Sequence, residues 1–251
     1  MIRGPRAIAV FASLLLALSL AAVGVSHLYR PERTLDLTPP QAYMPAPQPA
    51  SGLAGRGHRD GRRGQLVSQR WVETIAARTG IPKPALRAYA DAQLGETDGC
   101  DIGWTTLAGI GWVESQHGTI GGRRLRADGT SSRPVIGPAL DGSGDFAAIR
   151  STAQSTAWHG DPTWEHAVGP MQFLRSSFDP WATDGDGDGT ADPLDLDDAA
   201  ATAASYLCAS GADLDTGAGW SGAVLSYNRS GEYVDLVRRT ADTYARRAER
   251  H

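Results

Sequence analysis

Apolar residues recur at helical spacing in several separate windows of the chain and alternate nowhere for long. From Gln69 to Thr79, Trp71, Val72 and Ile75 form one stripe, with Ser68 placed to cap the start and Gly80 to stop the helix. Pro82 and Pro84 open a second window, Pro84 to Leu94, in which Leu86, Ala90 and Leu94 fall four residues apart. A third helix is expected from about Gly103 to Ser115. There Trp104, Leu107, Ala108, Ile110, Trp112 and Val113 supply bulk, and Glu114 is the one acid. From Gly118 to Asp161 the pattern fails under repeated glycine and proline, and an ordered loop of that length is uncommon unless it shapes a site. Helical texture returns over Asp197–Ala209, with Ala199, Ala200, Ala203, Ala204 and Leu207 on one face, and over Trp220–Tyr227. Ser230 then caps a terminal helix whose apolar side carries Tyr233, Val234, Val237, Ala241, Tyr244 and Ala248. The expected fold is mainly α, with long loops and little or no sheet.

Residues 1–66 read differently from the rest. Arg3 and Arg6 precede an uncharged run from Ala7 to Tyr29 with leucines at its centre, the layout of a secretory signal. That run also has the length to span a bilayer, which takes about 20 residues. No convincing Ala-x-Ala cleavage site follows, which favours a retained membrane anchor with a short cytoplasmic end. Residues 1–30 are therefore assigned as signal or anchor, and the remainder is expected to be exported. Residues 31–66 form a linker. Pro31, Pro39, Pro40, Pro45, Pro47 and Pro49 favour extended polyproline backbone, and the Gly- and Arg-rich stretch after them has no apolar periodicity with which to fold. Residues 67–251 make up the folded domain.

Charge and cysteine content narrow the class. Residues 1–70 hold nine arginines against three acids, whereas the other 181 residues hold 15 basic and 25 acidic groups. A folded part this acidic argues against nucleic acid as its partner. Cys100 and Cys208 are the only cysteines, and in an exported chain an isolated pair reads as a disulfide. A metal pair would need further ligands and closer spacing.

Two stretches carry candidate chemistry. Glu114 ends an apolar run, and desolvation there would hold its carboxyl protonated near neutral pH, as a general acid requires. The second stretch, Asp184-Gly-Asp186-Gly-Asp188-Gly189-Thr190-Ala-Asp192-Pro-Leu-Asp195, matches an EF-hand calcium loop. Alternate aspartates on a tight turn offer the hard oxygens that Ca2+ prefers, and Thr190 would bind through its carbonyl. Position 12 is Asp195, shorter than the usual Glu, so the closing ligand is either Asp195 or, further on, Asp198.

Taken with Ala167-Val-Gly-Pro-Met-Gln-Phe173 and Ser226-Tyr227-Asn228, these stretches resemble the lytic murein transglycosylases of the MltB-like type (SLT domain 2), over roughly residues 68–251. The resemblance implies a lysozyme-like helical domain of the goose-type or lytic transglycosylase kind. It also implies a catalytic role for Glu114, with Ser115 helping to orient its carboxyl. Met171 would lie against the acid and Gln172 within reach of the sugar, while Tyr206, Tyr227, Asn228 and Tyr233 would be further cleft residues. The family's calcium loop ends on the exit helix, which favours Asp198. The implied reaction cleaves the β-1,4 bond between N-acetylmuramic acid and N-acetylglucosamine of peptidoglycan, leaving a 1,6-anhydro end, with Ca2+ as a structural ion and no organic cofactor.

The expected partners are glycan strands and, through the N-terminal segment, a membrane, with the chain a monomer at the cell wall. Two alternatives stand beside this reading. One is a hydrolytic muramidase using a second carboxylate such as Asp161 or Glu165. The other is a catalytically silent wall-binding protein. Trp112, Trp158, Trp164 and Trp181 are possible stacking faces for sugar rings.

Overall fold

The computed structural model describes residues 67–95, 100, 102–144, 147–210 and 214–250. The segments read as signal or anchor (1–30) and linker (31–66) lie outside the described residues, save that no helix among the described residues is long and apolar enough to cross a membrane. The described chain is mainly α. Its helices are α1 (Gln69–Thr79), α2 (Lys83–Leu94), α3 (Trp104–Ser115), α4 (Ala153–His159), α5 (Arg175–Phe178), α6 (Leu196–Ala209), α7 (Gly217–Tyr227) and α8 (Gly231–Ala248). Pairing between extended segments is limited to isolated antiparallel bridges such as Ile136 with Val168 and Arg150 with Trp164.

Local chemistry sets the helix limits. The Ser68 hydroxyl accepts from the Trp71 amide, and Gly80, at φ 79°, closes α1. Asp195 caps α6 by accepting from the Asp197 amide, so that helix starts one residue before the apolar pattern does. Thr216 caps α7 in the same way. Its first turn, Gly217-Ala-Gly219, carries no apolar signature, and the helix is longer than Trp220–Tyr227 for that reason. α4 lies within the stretch expected to be loop. A capping box between Thr152 and Ser155 starts it, and it buries only Ser155, so no apolar stripe marks it in the sequence.

The core is built around α3. Nearly all of this helix is buried, with Trp112 and Val113 as the exceptions, as a helix apolar all round must be. It packs along α8 and against α2, while α2 packs on α6. The close approach to α8 depends on Gly109, where a Cβ would sit 2.9 Å from the Val237 carbonyl oxygen. At Gly111 a Cβ would overlap the Tyr89 hydroxyl of α2.

The end of α3 is locked by buried polar contacts. Gln116 and His117 adopt left-handed backbone conformations, at φ 54° and 60°, which cost about 1–2 kcal/mol each unless the surroundings hold them. The His117 ring supplies that hold, with Nδ1 at 3.0 Å from the Tyr89 hydroxyl of α2 and Nε2 at 2.9 Å from the Tyr244 hydroxyl of α8. Burial pushes the imidazole down to about 3, so it is neutral: it donates to one tyrosine and accepts from the other.

Cys100 and Cys208 form a disulfide, with Cα atoms 5.7 Å apart and a sequence separation of 108. It ties the approach to α3 to the last turn of α6. Replacing both cysteines by serine is expected to lower unfolding stability by about 4 kcal/mol, the chain-entropy value for so long a loop. Urea denaturation monitored by tryptophan fluorescence measures it, and an unchanged midpoint would show that the bond holds nothing the core does not already hold.

Candidate active site

Glu114 occupies the last turn of α3 at 8% exposure. It forms the inner end of a cleft of about 350 Å³. Ala167, Gln172, Phe173 and Leu174 line one side, Tyr206 of α6 and Ser226 and Tyr227 of α7 another, and Asn228 and Arg229 the link to α8. That size and mix suit a short stretch of an extended ligand. Among the described residues, Glu114 and Arg229 are the charged side chains of the lining, and Glu114 is its only carboxyl group.

The Tyr233 hydroxyl, on the first turn of α8, donates to Glu114 Oε1 at 2.6 Å. Two effects compete at the acid. Burial disfavours the charge and pushes its pKa up to about 8, while the Tyr233 hydrogen bond favours the carboxylate and opposes that rise. Burial wins, so Glu114 is largely protonated at neutral pH. Tyr233 keeps its proton at any working pH, because burial, and then the charge of Glu114, hold its phenol well above the ordinary range.

Gln172 reaches the cleft on a tight turn. Val168 and Phe173 exchange backbone hydrogen bonds, at 2.9 and 3.0 Å, and the Gln172 amide donates to the Gly169 carbonyl. Gln172 itself is left-handed, at φ 52°, and its side-chain amide donates to Gly169 O at 2.9 Å. The turn is clamped by its neighbours. The Ser115 hydroxyl donates to the Pro170 carbonyl at 2.5 Å, and the Tyr227 hydroxyl donates to the Met171 carbonyl at 2.8 Å. Gly169, at φ 77°, lies so close to the Pro193 carbonyl that a Cβ would overlap it.

These contacts divide the site residues expected from sequence. Glu114, Gln172, Tyr206, Tyr227 and Asn228 line the cleft. Ser115 does not orient the Glu114 carboxyl. It is fully buried, and its hydroxyl serves the Pro170 carbonyl and accepts from the Gly118 amide. Met171 is also fully buried, with its sulfur beside Gly111 of α3, and is not among the residues that line the cleft. Tyr233 lies behind Glu114 and acts on the acid. Arg229 was missed; its adjacency to Tyr227-Asn228 was the one available signal.

The two further carboxylates near the Gln172 segment are engaged elsewhere. Asp161 Oδ2 lies 3.2 Å from His166 Nε2. Glu165 Oε1 lies 3.3 Å from His159 Nε2, at ion-pair distance but poorly aligned for a hydrogen bond. Neither lines the cleft. Among the tryptophans, Trp181 is 38% exposed and meets Tyr206 edge to face at 6.3 Å, extending the aromatic wall, whereas Trp112 is exposed. Trp158 and Trp164 are covered by the guanidinium groups of Arg175 and Arg150.

The acidic loop is folded around its own carboxylates. Asp184 accepts from the amides of Gly187, Asp188 and Gly189, and one oxygen each of Asp184, Asp186 and Asp188 fall within 4.8 Å of one another. Asp198, on α6, clamps both ends of the loop by accepting from Gly185 at 2.6 Å and Asp192 at 2.9 Å. Asp195 instead caps α6 and faces Gly129. Burial, with Asp186 and Asp184 nearby, pushes Asp198 up to about 6. Crowded, partly desolvated hard oxygens of this kind fit a divalent cation; among the described residues the cluster within 4.8 Å takes in Asp184, Asp186 and Asp188 and neither Asp195 nor Asp198. The Thr190 amide donates to Asp188 within the same loop.

The Glu114 shift carries a stability signature. Between the ordinary carboxyl value of 4.5 and about 8, the folded chain holds a proton that the unfolded chain has lost. Stability therefore falls as pH rises through that window, by on the order of a few kcal/mol from this group. Glu114→Gln should flatten the fall, as judged by urea midpoints at pH 5 and pH 8.5; an equal fall in both proteins would mean that Glu114 titrates normally.

No curated protein and no solved structure matches the chain. Residues 148–225, which contain the Gln172 turn, the acidic loop, Tyr206 and most of α7 but not Glu114, match the family model described as Transglycosylase SLT domain, and this part of the chain is similar to that family.

Proposed function

We propose that the chain is a peptidoglycan lytic transglycosylase that cleaves the β-1,4 bond between N-acetylmuramic acid and N-acetylglucosamine, with Glu114 as its single acid and base. The observation that carries this reading is the Glu114 carboxyl: buried, largely protonated, and among the described residues the only carboxyl group lining the cleft. The match of residues 148–225 supports peptidoglycan as the substrate class.

In the first step Glu114 gives its proton to the glycosidic oxygen, and the bond from that oxygen to C1 of the muramic acid residue breaks. The oxocarbenium-like centre left at C1 is stabilised by the sugar's own 2-acetamido group. Glu114 is now a carboxylate, held by the Tyr233 hydroxyl. In the second step it takes the proton of the muramic C6 hydroxyl as O6 attacks C1, which closes the 1,6-anhydro ring and restores the acid. No water is consumed. Ordinary glycosidases place two carboxylates about 5–9.5 Å apart across the bond. Among the described residues Asp161 and Glu165 lie outside the lining, which supports a mechanism with a single carboxyl group.

The same reading places the domain outside the cytoplasm, tethered by residues 1–30 through the linker 31–66. The disulfide supports an oxidising compartment. It also assigns a structural Ca2+ to Asp184, Asp186, Asp188 and Asp198, with Thr190 contributing its carbonyl. When bound, that ion would supply positive charge that offsets the crowded carboxylates. The loop touches the Gln172 turn through Pro193 and Gly169, so it braces one wall of the cleft.

Incubation with purified peptidoglycan should release muropeptides 18 Da lighter than the products of hydrolysis. Glu114→Gln should lower turnover by about 10²–10⁴-fold, the range for loss of a general acid, while leaving glycan binding in place. Mass spectrometry of the digest measures both, and reducing ends without anhydro ends would reject the mechanism. Separately, chelation with EGTA should lower the melting temperature by several degrees and added Ca2+ should restore it, since about 2.7 kcal/mol of stabilisation follows at 100 times Kd. A melting temperature indifferent to both would remove the ion from the reading.

A further inference from the structure

Among the described residues Arg229 is the one cation in the cleft lining, and it sits at the opposite end of the exposure range from Glu114: the acid is buried and the arginine is exposed. Its neighbours fix its backbone. The Asn228 amide donates to the Val224 carbonyl, the Ser230 amide donates to the Asn228 carbonyl at 2.8 Å, and Ser230 caps α8. The guanidinium thus hangs from a rigid three-residue link, Asn228 to Ser230, four positions before the tyrosine that holds Glu114.

Several other arginines of the domain are committed to internal partners. Arg87 pairs with Asp197, Arg175 with Asp179 and Arg238 with Asp235, while Arg78 and Arg247 bond backbone carbonyls. Among the described residues Arg229 has no ion pair or hydrogen bond to its guanidinium, and it makes no contribution to the Glu114 shift. Its guanidinium presents a planar fork suited to a carboxylate. The domain around it is acidic, with 25 acidic against 15 basic groups in residues 71–251. An anionic ligand therefore approaches against the overall field, and one uncommitted cation beside the cut site would set where its charge is received.

We infer that Arg229 is a specificity-determining residue that receives a carboxylate carried on the side-arm of the bound muramic acid residue. The inference rests on the peptidoglycan reading above. The carboxylate has two possible sources with the same chemistry: the lactyl group of a peptide-free strand, or a free carboxylate of an attached stem peptide.

The test uses the full chain carrying Glu114→Gln, with and without Arg229→Gln, so that binding is read without turnover. Isothermal titration calorimetry compares four ligands: peptide-free strands, the same strands with the lactyl carboxylate amidated, peptide-substituted strands, and those with the stem carboxylates amidated. Amidation of the recognised carboxylate should weaken binding about five- to tenfold when Arg229 is present and by less than about twofold when it is Gln, the size of one charge-assisted contact in partial solvent. The arm in which this coupling occurs identifies the source. The coupling should shrink in high salt, and Arg229→Lys should recover part of it. Equal losses with and without Arg229 in both arms would overturn the inference alone. If the Glu114→Gln protein binds none of the four ligands, the peptidoglycan reading falls and the inference falls with it.

Discussion

One ionisable group at the end of a helix with no polar face is the constraint on which the rest depends. α3 can exist only inside the core, so Glu114 is carried to the edge of that core and no further. Keeping a carboxyl there without an ion partner is tolerable because the group holds its proton, and because Tyr233 supplies a donor should the proton leave. The same desolvation that makes Glu114 costly to ionise suits it to give up a proton only to a basic centre brought to it.

That arrangement requires α8 to lie close against α3. Gly109 lets the backbones approach at the Val237 carbonyl, and the neutral His117 ring pins the end of α3 between tyrosines of α2 and α8. Tyr233 is placed opposite the acid by the Ser230 cap at the start of α8. The residue that tunes the acid and the helix that buries it are therefore held by one packing interface.

The second wall is a strained turn held from outside. Left-handed Gln172 is maintained by Ser115 from α3, Tyr227 from α7 and the close passage of Gly169 past Pro193. Because Pro193 belongs to the acidic loop, and Asp198 ties both ends of that loop to α6, order in the loop passes directly to the turn. Rigidity at Gln172 is thus imported from α3, α6 and α7, which also line the cleft, and from the acidic loop.

Much of the helical framework was legible in the chain because strong stripes, caps and stop glycines act locally. Ser68 and Gly80 bound α1, Ser230 starts α8, and the four-residue spacing of Leu86, Ala90 and Leu94 marks α2. α4 was not legible, since a short helix that buries a single serine has no apolar period to read. At the site, an acid at the end of an apolar run singled out Glu114, and the resemblance to the lytic transglycosylases added Gln172, Tyr206, Tyr227 and Asn228; the five meet at one cleft. The roles of Ser115, Met171 and Tyr233 were decided by tertiary packing. Which way a side chain at the end of a helix or turn faces depends on the neighbour it meets, not on its own sequence context. For the same reason only the fold could reveal that Arg229 stands uncommitted in the same cleft as the acid. By itself the sequence determined which groups were present and which helices would carry them; long-range packing decided which of those groups are buried, partnered or left open to a ligand, because desolvation and hydrogen bonding are set by atoms distant in the chain.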